Sequence, residues 1–213
     1  MQRLSYLLVR LLIQIFSFIP FKVLYFFSEF LYVILYYLIQ YRRKVVNDNL
    51  KNSYPNISEG KLIELTKASY KNLTEITVEG IKGLSLDEFE LNKRFQFIHP
   101  ELILQYINNK QSVIVANGHI GNWEWAVLQF GYFFKSKSIG IYKQIKNDYL
   151  NRYINSIRAK SSIQLLSTRE TRLIADEIPN GKIILLMGDQ NPSNIKDAIW
   201  TQFLNQDTAC LHG

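Results

Sequence analysis

Between residues 4 and 39 the chain carries only three charged side chains, Arg10, Lys22 and Glu29. Nearly everything else there is apolar or aromatic, and a surface of that kind must be covered by protein or by lipid. Pro20 divides the stretch. Residues 4–19 are short for crossing a bilayer, whereas residues 21–39 would run about 28 Å as a helix, close to the hydrocarbon thickness. Glu29 sits awkwardly near the middle of that second piece. Tyr41-Arg42-Arg43-Lys44 follows at once, and a basic cluster there favours a cytoplasmic face for what comes next. A cleaved signal peptide fits poorly, because the apolar stretch is too long and no small-residue cleavage site follows it.

Two other coverings suit the same residues. One is a pair of helices buried in a soluble core. The other is a pair of amphipathic helices lying in the membrane interface, with Tyr and Phe at headgroup depth. The reading adopted is a membrane anchor over residues 1–40, followed by one domain over residues 41–213.

Composition narrows the rest. A length of 213 residues fits one such domain, and a 47% hydrophobic content excludes a disordered or fibrous chain. One cysteine, Cys210, excludes an internal disulfide framework and a multi-cysteine zinc site. The net charge of +7 suits an anionic partner, whether lipid headgroups, nucleic acid or an acidic protein. The basic residues are scattered and no recognised motif interleaves them with exposed aromatics, so nucleic acid is not expected as a partner.

From residue 41 the periodicities are those of a mixed protein. Residues 45–54 predict a short helix ending at Tyr54-Pro55-Asn56. Residues 61–80 predict a long helix, with Leu62, Leu65, Ser69, Asn72, Leu73, Ile76 and Glu79 at helical spacing and Gly80 and Gly83 at its end. Ser85-Leu86-Asp87-Glu88 reads as an N-cap with acids in the first turn. A strand over 95–98 and a helix over 100–108 come next. Then β-branched runs alternate with helical patterns. Strands are predicted at 112–116 (buried), 138–142, 163–166 and 182–187, and helices at 122–134, 148–160 and 168–178. Strands joined by helices, not hairpins, imply an α/β fold with a mostly parallel sheet flanked by helices.

In such a sheet, ligands bind outside the carboxyl ends of the strands. Two polar clusters fall there: Asn117-Gly118-His119-Ile120-Gly121-Asn122-Trp123-Glu124 after the first strand of the run, and Gly188-Asp189-Gln190-Asn191 after the last. If the sheet is parallel, both clusters lie at one edge and His119, Glu124 and Asp189 flank one cleft. With His119 in the turn and Glu124 in the first helical turn, the two side chains can face each other. A carboxylate on one ring nitrogen fixes the tautomer and stabilises the imidazolium, leaving the other nitrogen to take a proton from an alcohol. Backbone N–H groups at the helix start suit an oxyanion. Each residue also has an ordinary structural reading: His119 as a satisfied polar side chain, Glu124 as dipole compensation, Asp189 and Gln190 as a turn and cap.

The segment Gly118-His119-Ile120-Gly121-Asn122-Trp123-Glu124 resembles the lysophospholipid acyltransferases of the lipid A biosynthesis type, the bacterial lauroyl and myristoyl transferases. The early apolar anchor, Tyr41-Arg42-Arg43 and Gly188-Asp189-Gln190 match further parts of that pattern, and Ile141-Tyr142-Lys143, Asn147 and Arg169-Glu170 fall where the family has other polar blocks. The resemblance implies acyl transfer from an acyl carrier protein thioester to a hydroxyl of a lipid A precursor or related phosphorylated glycolipid, at the cytoplasmic side of the bacterial inner membrane. It implies His119 as general base and Glu124 as its partner. Asn122, Lys143, Arg169, Asp189 and Gln190 would bind substrates, with no cofactor, no metal and no covalent acyl-enzyme. Lys143 stands where the family often has Arg, supplying charge without a bidentate fork. Family members continue well beyond the segment ending at Cys210-Leu211-His212-Gly213, so a chain cut short at its C-terminus is expected. The rival readings are a non-catalytic membrane-associated lipid-binding protein and a lipid acyl hydrolase. A serine hydrolase is disfavoured because the chain has no G-x-S-x-G elbow.

Overall fold

Strands and helices alternate through the middle of the chain, and a long helical stretch precedes them. The structure, a computed structural model, describes residues 1–192 and 194–210. Leu211-His212-Gly213, on which the expected early ending partly rests, lie outside the described residues.

The helices are α1 (Gln2–Phe18), α2 (Phe21–Val33, continued by a π-helical stretch Ile34–Ile39), α3 (Arg43–Ser53), α4 (Glu59–Gly83), α5 (Glu88–Asn92), α6 (Glu101–Asn108), α7 (Trp123–Phe134), α8 (Asp148–Ala159) and α9 (Ile174–Glu177). The strands are β1 (Val113–Asn117), β2 (Ser138–Tyr142), β3 (Gln164–Ser167), β4 (Ile183–Met187), β5 (Ile199–Phe203) and β6 (Gln206–Cys210). The chain divides into two compact units: residues 1–18 with 80–188, and residues 19–79 with 189–213.

The first unit holds a four-stranded sheet in the order β1-β4-β2-β3, every pair parallel. The expected parallel α/β sheet is therefore present. β4 and β2 are central, and their β-branched residues are the driest: Ile183, Ile184 and Ile139 are buried. One face packs Ile107 of α6 and Phe130 and Phe134 of α7 against Ile163, Ile183 and Leu185, with Phe97 wedged beside the two phenylalanines. α7 comes close enough to its neighbours that glycines are required. A Cβ on Gly131 would sit 2.0 Å from Ser161 Oγ, and one on Gly83 would sit 2.4 Å from Trp125 Nε1. α1 lies against α8 through Tyr6, which meets Tyr149 and Tyr153. Asn147 ties the two helices. Its Oδ1 accepts from Tyr149 N and Leu150 N as the N-cap of α8, while its Nδ2 donates to Gln2 O and Ser5 Oγ at 2.9 Å each.

The second unit is built on α2 and α4. Tyr32, Tyr36 and Tyr70 stack edge and face into a small core with Leu35 and Val46. Tyr70 Oη donates to Tyr41 O at 2.5 Å, and Arg43 both covers the Tyr36 ring and donates to its hydroxyl at 3.0 Å. β5 and β6 form an antiparallel hairpin turned by Leu204 and Asn205, both at positive φ, as a tight two-residue hairpin turn demands.

Several expectations need correction. Residues 95–98 are not a strand: Phe97 is drawn into the core by α7, and among the described residues β1 pairs with β4 alone. Among the described residues β1 is an edge strand covered on one face only: Val113 and Val115 pack against the core while Ile114, on the other face, is 62% exposed. Residues 168–178 do not form one helix. Short 3-10 turns at Thr171–Leu173 and Ile178–Asn180 bracket the four-residue α9, and Pro179 withdraws a donor where the helix would continue. The cap expected within 85–88 is present: Asp87 caps α5 by accepting from Glu90 N, with Glu88 and Glu90 in the first turn. On α4 the buried stripe is Leu62, Thr66, Tyr70, Thr74 and Val78, every fourth residue, while Ser69, Asn72 and Leu73 face outward.

Candidate active site

Because all four strands of the sheet are parallel, their carboxyl ends share one edge. β1 ends at Asn117, beside Met187 of β4, and Gly188 N donates back to Asn117 O at 3.1 Å. Asn117 Oδ1 in turn accepts from Gly118 N. The chain leaves β1 through Gly118 and His119 and reverses at Gly121, whose φ of +59° is the left-handed conformation that glycine adopts without cost. Asn122 occupies the N-cap position of α7, and its carbonyl accepts from Trp125 N and Ala126 N.

His119 is half-buried in this loop, and its ring lies edge-on to Trp123, 4.9 Å between centroids. Glu124 stands in the first turn of α7, where the helix dipole favours an anion. Its carboxylate is gripped by Arg158, in the last turn of α8, with Nη2 at 2.6 Å from Oε1 and Nε at 3.2 Å from Oε2. Each residue sits at the helix end that suits its charge, and the planar fork uses both carboxylate oxygens. The pair is largely sheltered, at 15% exposure for the arginine side chain and 23% for the glutamate. A carboxylate offers about four lone-pair sites, so the fork leaves acceptor capacity on Glu124.

The other predicted residues distribute as follows. Lys143 follows the carboxyl end of β2 and is exposed. Arg169 follows that of β3, also exposed, in a loop stiffened by its neighbours: Ser167 Oγ and Ser167 N both donate to Glu170 Oε2, at 2.6 and 2.9 Å. Those two hydrogen bonds hold the Glu170 carboxyl below the ordinary carboxylate range. Thus Asn122, His119, Glu124, Lys143 and Arg169 all follow strand ends at one sheet edge. Asp189 and Gln190 come directly after Gly188 in the chain and belong to the second unit.

Arg158 is the residue that sequence reasoning missed. An arginine in the last turn of a helix reads as dipole compensation, and its partner lies 34 positions away.

Comparison with known families supplies the class: this is an acyl-group transferase. The chain belongs to the bacterial lipid A biosynthesis acyltransferase family, whose model matches residues 1–213. No curated protein matches the chain significantly.

Proposed function

We propose that the protein moves a fatty acyl group from an acyl carrier protein thioester to a hydroxyl of a lipid A precursor or related phosphorylated glycolipid. The observation that carries this reading is Glu124, fixed by Arg158 five positions beyond His119, at the carboxyl edge of a parallel sheet. His119 takes the hydroxyl proton. The oxygen attacks the thioester carbonyl, the C–S bond breaks as the C–O ester bond forms, and the proton passes on to the departing thiolate. Glu124 holds the imidazole in the right tautomer and balances the positive charge it acquires. The N–H groups at the start of α7 would stabilise the oxyanion. Asn122, Lys143, Arg169, Asp189 and Gln190 position donor and acceptor, and the excess of 25 basic over 18 acidic residues favours two anionic partners. The reaction takes place at the cytoplasmic face of the bacterial inner membrane, and the mechanism requires no metal, cofactor or acyl-enzyme.

The test is mass spectrometry of lipids after expression in a strain lacking its own late acyltransferase. One added acyl chain on the glycolipid is the expected result. Release of free fatty acid with the glycolipid unchanged would make the protein a hydrolase. No change in either would leave a non-catalytic lipid-binding protein and overturn the proposal.

A further inference from the structure

The amphipathicity of the apolar helix is inverted. Along α2 and its π-helical continuation, the side chains that meet α4 are largely polar and tyrosine ones, with Leu24 buried and Leu35 packed among them. Tyr25 Oη donates to Glu79 Oε1 at 2.7 Å, Lys71 Nζ meets Glu29 Oε1 at 2.9 Å, and Ser28, Tyr32 and Tyr36 are buried. Lys71 also lies 5.3 Å from the Tyr32 ring, and Lys67 5.9 Å from that of Tyr36. The opposite face is Val23, Phe26, Phe30, Val33 and Tyr37, at helical spacing and all exposed, Phe26 by 73% and Phe30 by 63%. A helix that packs its polar side inward and turns its phenylalanines out is arranged for an apolar solvent.

Length alone would let residues 21–39 cross a bilayer. Their packing against α4 does not. The charged partners are spread along the helix from Tyr25 to Tyr36, about 16 Å of rise. The Glu29–Lys71 pair sits at the midpoint of the segment, with both side chains about half exposed. A crossing helix would carry this pair, and the acidic and basic residues of α4 beside it, to the centre of the hydrocarbon, where charge is most costly. Laid flat, the same helix puts every one of those charges on the water side and every outward phenylalanine in the acyl layer. Lys22 in the first turn of the segment, and Arg42 and Lys44 after it, are all exposed and would then meet anionic headgroups at one level.

We therefore infer that residues 21–39 bind the membrane in its plane, as a monotopic helix on an anionic lipid surface, and do not span it. This rests on the membrane association in the proposed function, not on the chemistry assigned to His119. The occupant of the outward face is lipid, since the enzyme's family acts in lipid A synthesis.

The test uses the full chain with Cys210→Ser, single cysteines at Phe26, Phe30, Val33 or Tyr37 carrying a nitroxide, and sealed vesicles of phosphatidylethanolamine and phosphatidylglycerol. Collision with oxygen and with a water-soluble nickel chelate reads the depth. An in-plane helix gives one shallow depth at Phe26, Phe30 and Val33, about 5–10 Å below the phosphates. A depth that rises to a maximum near Phe30 and falls again overturns the inference. Lys22→Cys and Tyr41→Cys, added separately, should both react from the same side with an impermeant thiol reagent; labelling from opposite sides overturns it too. Phe26→Glu and Phe30→Glu lie on the surface and should fold normally, with vesicle affinity reduced about tenfold or more each. Unchanged affinity defeats the proposal, as does a lipid-free dimer dissolved by those substitutions without vesicle binding. Loss of vesicle binding by the unmodified chain would defeat membrane association itself, whatever the acyltransferase assay shows.

Discussion

The Arg158 guanidinium grips both carboxylate oxygens of Glu124, Nη2 to Oε1 at 2.6 Å and Nε to Oε2 at 3.2 Å, joining the last turn of α8 to the first turn of α7. A glutamate held this way has one orientation. In the proposed reaction, that fixes the carboxylate His119 relies on, and α8 becomes a support of the site. Arg158→Ala should reduce turnover at least tenfold and cost about 1–3 kcal/mol of stability, below the 3–5 of a fully buried pair because both side chains keep some exposure. Arg158→Lys should recover stability better than turnover, since an ammonium supplies charge without the fork. Thermal melts and initial rates on the purified variants check both, and equal recovery of the two would deny Arg158 an orienting role.

His119→Ala removes the proposed base. Turnover should fall by roughly a hundredfold or more while the melting temperature stays near that of the parent. Glu124→Gln should also be severe, because an amide cannot balance an imidazolium and surrenders the charge-assisted fork to Arg158. Near-normal rates in either folded variant would remove the dyad from the mechanism.

Gly131→Ala probes the packing that seats α7. The new methyl would overlap Ser161 Oγ at 2.0 Å and the Ser161 carbonyl oxygen at 2.7 Å, so α7 or the Ser161 turn must shift. Destabilisation of about 1–3 kcal/mol is expected, read as a lower urea midpoint with unchanged slope. Adding Ser161→Ala should restore only part of it, because the serine Cβ and carbonyl remain in the way.

The Ser167–Glu170 contact predicts a pH effect of definite sign. Hydrogen bonds from the Ser167 hydroxyl and N–H lower the Glu170 pKa in the folded state. The stability they contribute is therefore present above the ordinary carboxylate pKa and is lost as pH falls through the depressed folded value. Ser167→Ala should move the Glu170 carboxyl resonance titration upward, toward the ordinary range. A titration identical in the two proteins would show that the hydroxyl contributes nothing.

Membrane association predicts fractionation with membranes that high salt does not reverse, because apolar burial is not screened as charge contacts are. Release of the full-length chain by salt alone would mean that the outward phenylalanines of α2 meet no lipid.

Local periodicity determined much of this protein. The parallel α/β sheet was legible because β-branched runs such as 138–142 and 183–187 are separated by segments too long for hairpins. The loop carrying His119 and Asn122, and the helix start carrying Glu124, were legible because glycines and polar residues directly follow a strand. Tertiary structure decided what depends on partners distant in the chain. The fork between Glu124 and Arg158 spans 34 positions and leaves no trace in either local pattern. The half-exposure of β1 follows from which sheet face is covered, with Val113 and Val115 against the core and Ile114 turned away from it, and no strand encodes that alone. The hairpin of β5 and β6 turns on Leu204 and Asn205, without the glycine that usually marks such a turn. Residues 21–39 show the division most sharply. Their apolar length was plain in the sequence, but their orientation was set by α4, whose Lys71 and Glu79 claim the polar face and leave the phenylalanines outside.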